Sequence, residues 1–288
     1  MCHVRTVLCV ALSLVSPQVV AETNGATARG RPANSSAPRS DLASDKASDG
    51  SGKSGETSFR VVSYRGGPDE GEVAAKCETL RTQWCRQWLG NPPSRVWTPA
   101  CDVIVHGDRG SYLQAVGRAG ASTFGSSLTR RDREGRLIRR IDLLVDADRR
   151  LTALDHELVH VILAEHFDGG LPPLWLDEGL AMLVDRPDKQ QRHQRDCDGA
   201  VRQQRTFAMH ELFRLENPHP SQFATLYGQS LSVTRYLVRR ADATTLIEFA
   251  RAARRVGYDQ ALSEHYGIAN CAALEQEWIA HARESAAR

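Results

Sequence analysis

Residues 151–166 read LTALDHELVHVILAEH, and this stretch constrains the chain more than any other. Leu154, Leu158, Val161 and Ile162 recur at steps of three and four, the spacing of a helix with an apolar face. Val159 and Leu163 carry that face around most of the circumference, so the helix must be buried. It nevertheless holds His156, Glu157 and His160. Ionisable groups taken out of water are costly unless something pairs them, so the fold has to supply partners here.

The part of the chain able to do so is shorter than its 288 residues. Residues 1–21 read as a secretory signal: His3 and Arg5 precede an apolar run, and Val19 and Ala21 suit a cut after residue 21. Of the 37 residues 22–58, 21 are Ala, Gly, Ser or Pro and none is aromatic. Such a segment cannot bury enough apolar surface to offset its ordering entropy, and a disordered linker is expected. Folding then belongs to residues 59–288, read as one domain. No apolar run approaches the roughly 18–20 residues that span a bilayer, so no stable membrane insertion is expected once the signal is removed. A net charge of +2, from 37 basic and 35 acidic residues, argues against a nucleic-acid partner.

Strand-like alternation appears over residues 59–64, 101–106, 122–129 and 137–145, the last two around a turn at 132–135. Residues 69–89 carry Val73, Cys77, Leu80, Trp84 and Trp88 on a helical stripe, and residues 111–118 suit a short helix. Beyond Leu151 the texture is helical almost to the end. Strands first and helices after predict an α+β fold, a small mixed sheet followed by a helical C-terminal half. Residues 186–205 are rich in arginine and glutamine and read as a solvated loop or helix, with His193 and Cys197 in no metal-binding spacing. Five cysteines remain after the signal. Cys77 and Cys85 lie about 12 Å apart along one helix, too far to bridge each other. One of them with Cys101, and Cys197 with Cys271, are the pairings an exported chain would allow.

His156 and His160 stand one turn apart on one helix face, where two imidazoles can reach one Zn²⁺. Glu157 is rotated off that axis, near enough to take a proton from a metal-bound water. Glu178, in LWLDEGLA, follows His160 by 18 residues, room for a turn at 168–170 and a second helix that presents its carboxylate. Three protein ligands with an open fourth position describe a catalytic zinc site, one ion per chain. His166 lies six residues after His160, the interval of a third ligand in HExxHxxGxxH proteins. Leu163 stands where those proteins break the helix with glycine, leaving His166 about 9 Å further along the axis and turned away.

HELVH followed by WLDEGLA resembles the gluzincin metallopeptidases, the group that includes thermolysin and aminopeptidase N, and residues 59–288 are most similar to the bacterial peptidase MA-like domains. The resemblance implies a zincin-like catalytic fold and a peptide or protein substrate, with His156, His160 and Glu178 as zinc ligands and Glu157 as general base. Residues 226–233 (LYGQSLSV) are similar to the segment bearing the transition-state tyrosine of aminopeptidase N, which makes Tyr227 the oxyanion donor. The chain departs from the pattern in two places. Met182 stands where thermolysin has an acid four residues after its glutamate ligand, leaving Asp177 and Asp155 as candidates to orient the histidines. The segment that captures a free amino end is absent, and residues 120–127 (GASTFGSS) stand roughly in its place; the strand expected at 122–129 is a candidate for pairing with an extended peptide. The expectation is an exported, periplasmic or extracellular zinc metallopeptidase. The alternative is a catalytically inactive, zinc-organised binding module of the cell envelope, and hydrolysis of a non-peptide ester or amide would use the same residues.

Overall fold

The structure, a computed structural model, describes residues 57–167 and 171–286. The expected signal peptide, the linker up to residue 56 and the expected turn at 168–170 lie outside the described residues. Four strands, β1 (Phe59–Ser63), β2 (Cys101–His106), β3 (Gly125–Arg131) and β4 (Leu137–Leu144), form one sheet in the order β1-β2-β4-β3. β1, β2 and β4 run parallel, with Phe59 opposite Cys101 and Val103 opposite Ile141, while β3 pairs antiparallel with β4 and forms an edge. The β3–β4 turn is tied by the Asp132 carboxylate, which accepts backbone N–H groups from Glu134 and Arg136. Strands of the first half and helices of the second make the fold α+β, as the element order predicts.

Thr57 and Ser58, which the sequence reading places in the linker, are among the described residues and belong to the fold. Ser58 is fully buried, and its hydroxyl accepts from Arg81 Nη1 at 2.7 Å and from the Trp97 backbone N–H at 3.2 Å. α1 (Glu70–Leu89) begins at Asp69, whose side chain accepts the Glu72 N–H. Its buried stripe is Val73, Cys77, Arg81, Cys85 and Trp88, so Arg81 and Cys85 take the places expected for Leu80 and Trp84. Periodicity cannot foresee a buried arginine. Arg81 is accommodated because its guanidinium lies 4.2 Å from the Trp97 ring centre and donates to Ser58 and to the Arg95 carbonyl.

α2 (Arg109–Val116) follows β2. The second half comprises α3 (Leu154–His166), α4 (Leu174–Leu183), α5 (Pro187–Arg202), α6 (Met209–Arg214), α7 (Phe223–Arg240), α8 (Ala243–Val256), α9 (Tyr258–Tyr266) and α10 (Cys271–Ala286). α3 is the hinge of the packing. Its Leu154, Leu158, Val161 and Ile162 join Phe59, Val103 and Ile141 in a core between sheet and α1. Its Val159 and Leu163 join Trp175, Leu176, Phe249 and Trp278 in a core among the helices. A helix between two cores has to be apolar on both flanks, as residues 151–166 are.

α5 corrects the solvated reading of residues 186–205: it packs on α7 and buries His193, Cys197, Ala200 and Val201. The five cysteines of the described residues are free and buried, contrary to the pairings expected of an exported chain. Burial pushes their thiols up, Cys77 to about 12 and Cys85 to about 11, which makes them inert packing groups. No helix among the described residues is long and apolar enough to cross a membrane.

Candidate metal centre

α3 places His156 and His160 on one face with ring centres 5.0 Å apart. The chain re-enters through Pro172-Pro173, and α4 brings Glu178 against them, its Oε2 3.9 Å from His156 Nε2. His156, His160 and Glu178 are all buried, and each offers one ligand atom within 4.8 Å of the others. Atoms 2.0–2.2 Å from a shared zinc stand at most about 4.4 Å apart, so small side-chain adjustments close the set.

The second nitrogens of the imidazoles show how the set is oriented. His160 Nδ1 lies 2.8 Å from Asp177 Oδ1, and His156 Nδ1 lies 3.2 Å from Asp185 Oδ2. Asp185 is also held by Lys189 Nζ at 2.9 Å. His156 Nε2 is buried without a hydrogen-bond partner and faces Glu178. An unsatisfied ring nitrogen beside a carboxylate, with the opposite nitrogen held by another carboxylate, suits a small cation of the zinc type. Of the two acids the sequence offered, Asp177 takes the orienting role and Asp155 does not: it lies one residue off the ligand face and lines a separate cavity with Lys76. The second orienting acid, Asp185, escaped the sequence reading. Its only signal is an acid just past the end of α4, seven residues after Glu178 rather than four.

Electrostatics follow from this geometry. Burial and the nearby Lys189 drive His156 down to about 4, with Asp185 resisting. Burial also disfavours charge on His160, but Asp177, Glu178 and Glu157 prevail and carry it up to about 10. Burial raises Asp185, yet His156 and Lys189 outweigh it and hold it down at about 2.

Glu157 is 1% exposed, and neither carboxylate oxygen has a hydrogen bond of normal geometry. Burial pushes it up to about 7, opposed by His160 and the neighbouring Ser127 side chain. It lies against the start of β3: a Cβ on Gly125 would stand 2.6 Å from Glu157 Cγ and 2.8 Å from its Oε1. Glycine there lets the edge strand approach the carboxylate.

Tyr227 sits on the second turn of α7, 7% exposed, its ring centre 5.9 Å from both His193 and Phe223. It lines a cavity of about 670 Å³ together with Asp177 and Glu178. His193, which sequence reasoning placed in solvent, is therefore the edge-on neighbour of the tyrosine. His166 ends α3 and is not part of the cluster. A scan of family models and searches of curated proteins and of solved structures find no match for this chain.

Proposed function

We propose that the chain is an exported, zincin-like zinc metallopeptidase of gluzincin type, holding one zinc per chain on His156, His160 and Glu178 and acting on peptide or protein substrates. The observation that carries this reading is the buried triad whose two imidazoles are each braced by an aspartate. Zinc in such a site supplies Lewis acidity and lowers the pKa of its water to about 7. Glu157, raised into the same range by burial, can take a proton from the attacking water and return it to the departing amine. The Tyr227 phenol is the donor assigned to the carbonyl oxygen as it gains charge. β3, an edge strand beside Glu157, offers backbone groups to an extended substrate.

Asp177 and Asp185, set against the imidazoles, supply orienting acids in place of the one absent at Met182, which favours the peptidase over an inactive binding module. The decisive experiment replaces Glu157 with Gln in the full chain. Turnover of a mixed peptide library should disappear while bound zinc stays near one per chain; persistent cleavage would refute the assignment of the base.

A further inference from the structure

The proposed chemistry assigns nothing to α5, although this helix packs along α7 and lines a cavity with His156 and Glu157. Its long polar side chains turn back toward the site. Lys189 Nζ lies 2.9 Å from Asp185 Oδ2, the oxygen that also stands 3.2 Å from His156 Nδ1. Gln190 Nε2 donates to the Leu183 and Asp185 carbonyls at 2.9 and 2.7 Å, which ties the corner between α4 and α5 to the helix. Arg235 of α7 in turn donates to the side chains of Gln190 and Gln194. Asp185 is therefore held at its backbone and at its carboxylate by residues of a single turn.

His193 stands one turn after Lys189 on the same face of α5. It is buried and lies edge-on to Tyr227, the two ring planes 67° apart. The helices meet there backbone to backbone: a Cβ on Gly228 would stand 2.7 Å from the His193 carbonyl oxygen and 2.7 Å from the Cys197 nitrogen. Phe223, one turn earlier on α7, packs on the same tyrosine ring. A ring gripped by two others has few rotamers open to it. Burial and the nearby Lys189 hold the His193 imidazole down at about 4, against Asp185. It is thus neutral near physiological pH and acts as a packing ring, not as a source of protons.

Resting on the metallopeptidase reading, we propose that Lys189 and His193 are positioning residues on one face of α5. Lys189 sets the orientation of His156 through Asp185, and His193 holds the Tyr227 ring in the place from which its phenol can donate. One helix then fixes both the metal end and the oxyanion end of the site.

The sign of the Lys189 effect separates positioning from charge. An ammonium beside the cluster repels a dication, so if its charge alone mattered, Lys189→Met would tighten zinc. Loss of a positioning residue instead leaves the buried Asp185 carboxylate without its cation and free to turn. Zinc affinity of the full chain should then fall about tenfold in competition with a chelator. Lys189→Arg should restore most of it, and Lys189→Met should add nothing in an Asp185→Asn background. Unchanged or tighter zinc in Lys189→Met, or an additive loss in the double variant, overturns the Lys189 assignment. With peptide substrates, His193→Ala should lower kcat about tenfold with KM little changed, while His193→Phe, which keeps a ring against Tyr227, should retain kcat within about twofold. A normal kcat in His193→Ala, or an equal loss in both variants, overturns the His193 assignment. Matching far-UV circular dichroism spectra show that the variants are folded. If the unaltered chain cleaves no peptide, the peptidase reading fails, and both residues are read without substrate. The zinc measurements stand as they are, and nitration of Tyr227 by tetranitromethane, followed by peptide mapping, should be severalfold faster in His193→Ala and unchanged in His193→Phe. Equal rates in all three chains, or equal gains in both variants, overturn the proposal.

Discussion

At the scale of single residues, the centre depends on groups that hold other groups still. Asp185 fixes the Nδ1 side of His156 while being held by Lys189. Asp185→Asn keeps the shape and removes the charge, and zinc affinity should fall about 10–100-fold, read by competition with a coloured chelator. Asp155→Asn is the matched control and should leave affinity unchanged; equal losses in the two variants would remove Asp185 from its assigned place. Gly125 is the second lever. An added Cβ would stand 2.6 Å from Glu157 Cγ and 2.7 Å from Ala153 Cβ, so the glutamate must swing aside. Gly125→Ala should lower kcat by at least about tenfold with zinc content and KM little changed. A normal kcat would show that the carboxylate tolerates displacement. His156, Glu157, His160 and Glu178 were legible because one helical period and one turn length bring them together. Asp185 and His193 were not, because their place depends on the corner between α4 and α5, which no local pattern encodes.

At the scale of elements, the site is held by close packing of α4 on α7. Gly179, the residue after Glu178, lies so near α7 that a Cβ would stand 2.0 Å from Thr234 Oγ1 and 3.0 Å from the Ser230 carbonyl oxygen. The Thr234 hydroxyl can rotate away, but the Ser230 carbonyl cannot move without moving the helix. Gly179→Ala should therefore destabilise the fold by about 1–3 kcal/mol in urea unfolding, in spite of alanine's better helix propensity. A stabilised variant would mean that the two helices slide apart freely. The same scale shows where periodicity reads well and where it fails. α3 and α4 were readable because their apolar pattern matches burial on both flanks. α5 was misread because arginine and glutamine dominate its composition, while its narrow buried face needs only His193, Cys197, Ala200 and Val201. On α1 the buried face turned toward Arg81, since a neighbouring Trp97 makes a guanidinium an acceptable core residue.

At the scale of the whole molecule, strands-then-helices announced the α+β class, but the order β1-β2-β4-β3 depends on pairings between distant segments that a linear pattern does not carry. What the assembled fold adds is a cluster joining its parts. His156 and His160 sit on α3, which serves both cores; Glu178 and Asp177 come from α4, and Asp185 sits at the entry to α5. Without a cation, the buried carboxylates Glu157, Asp177, Glu178 and Asp185 crowd two imidazoles in a site of low polarity. A metal that binds only this arrangement stabilises the folded chain by mass action, about 4 kcal/mol at a free concentration a thousandfold above Kd. For a folded region of this size, each kcal/mol moves Tm by about 2–4 °C, so saturating zinc should raise Tm by about 8–16 °C over the chelated protein. Because α3 belongs to both cores, the shift should appear in one cooperative transition, followed in parallel by tryptophan fluorescence and far-UV circular dichroism. His156→Ala should have a Tm that no longer responds to zinc or chelator. A zinc response that persists in that variant would place the stabilising metal elsewhere in the molecule.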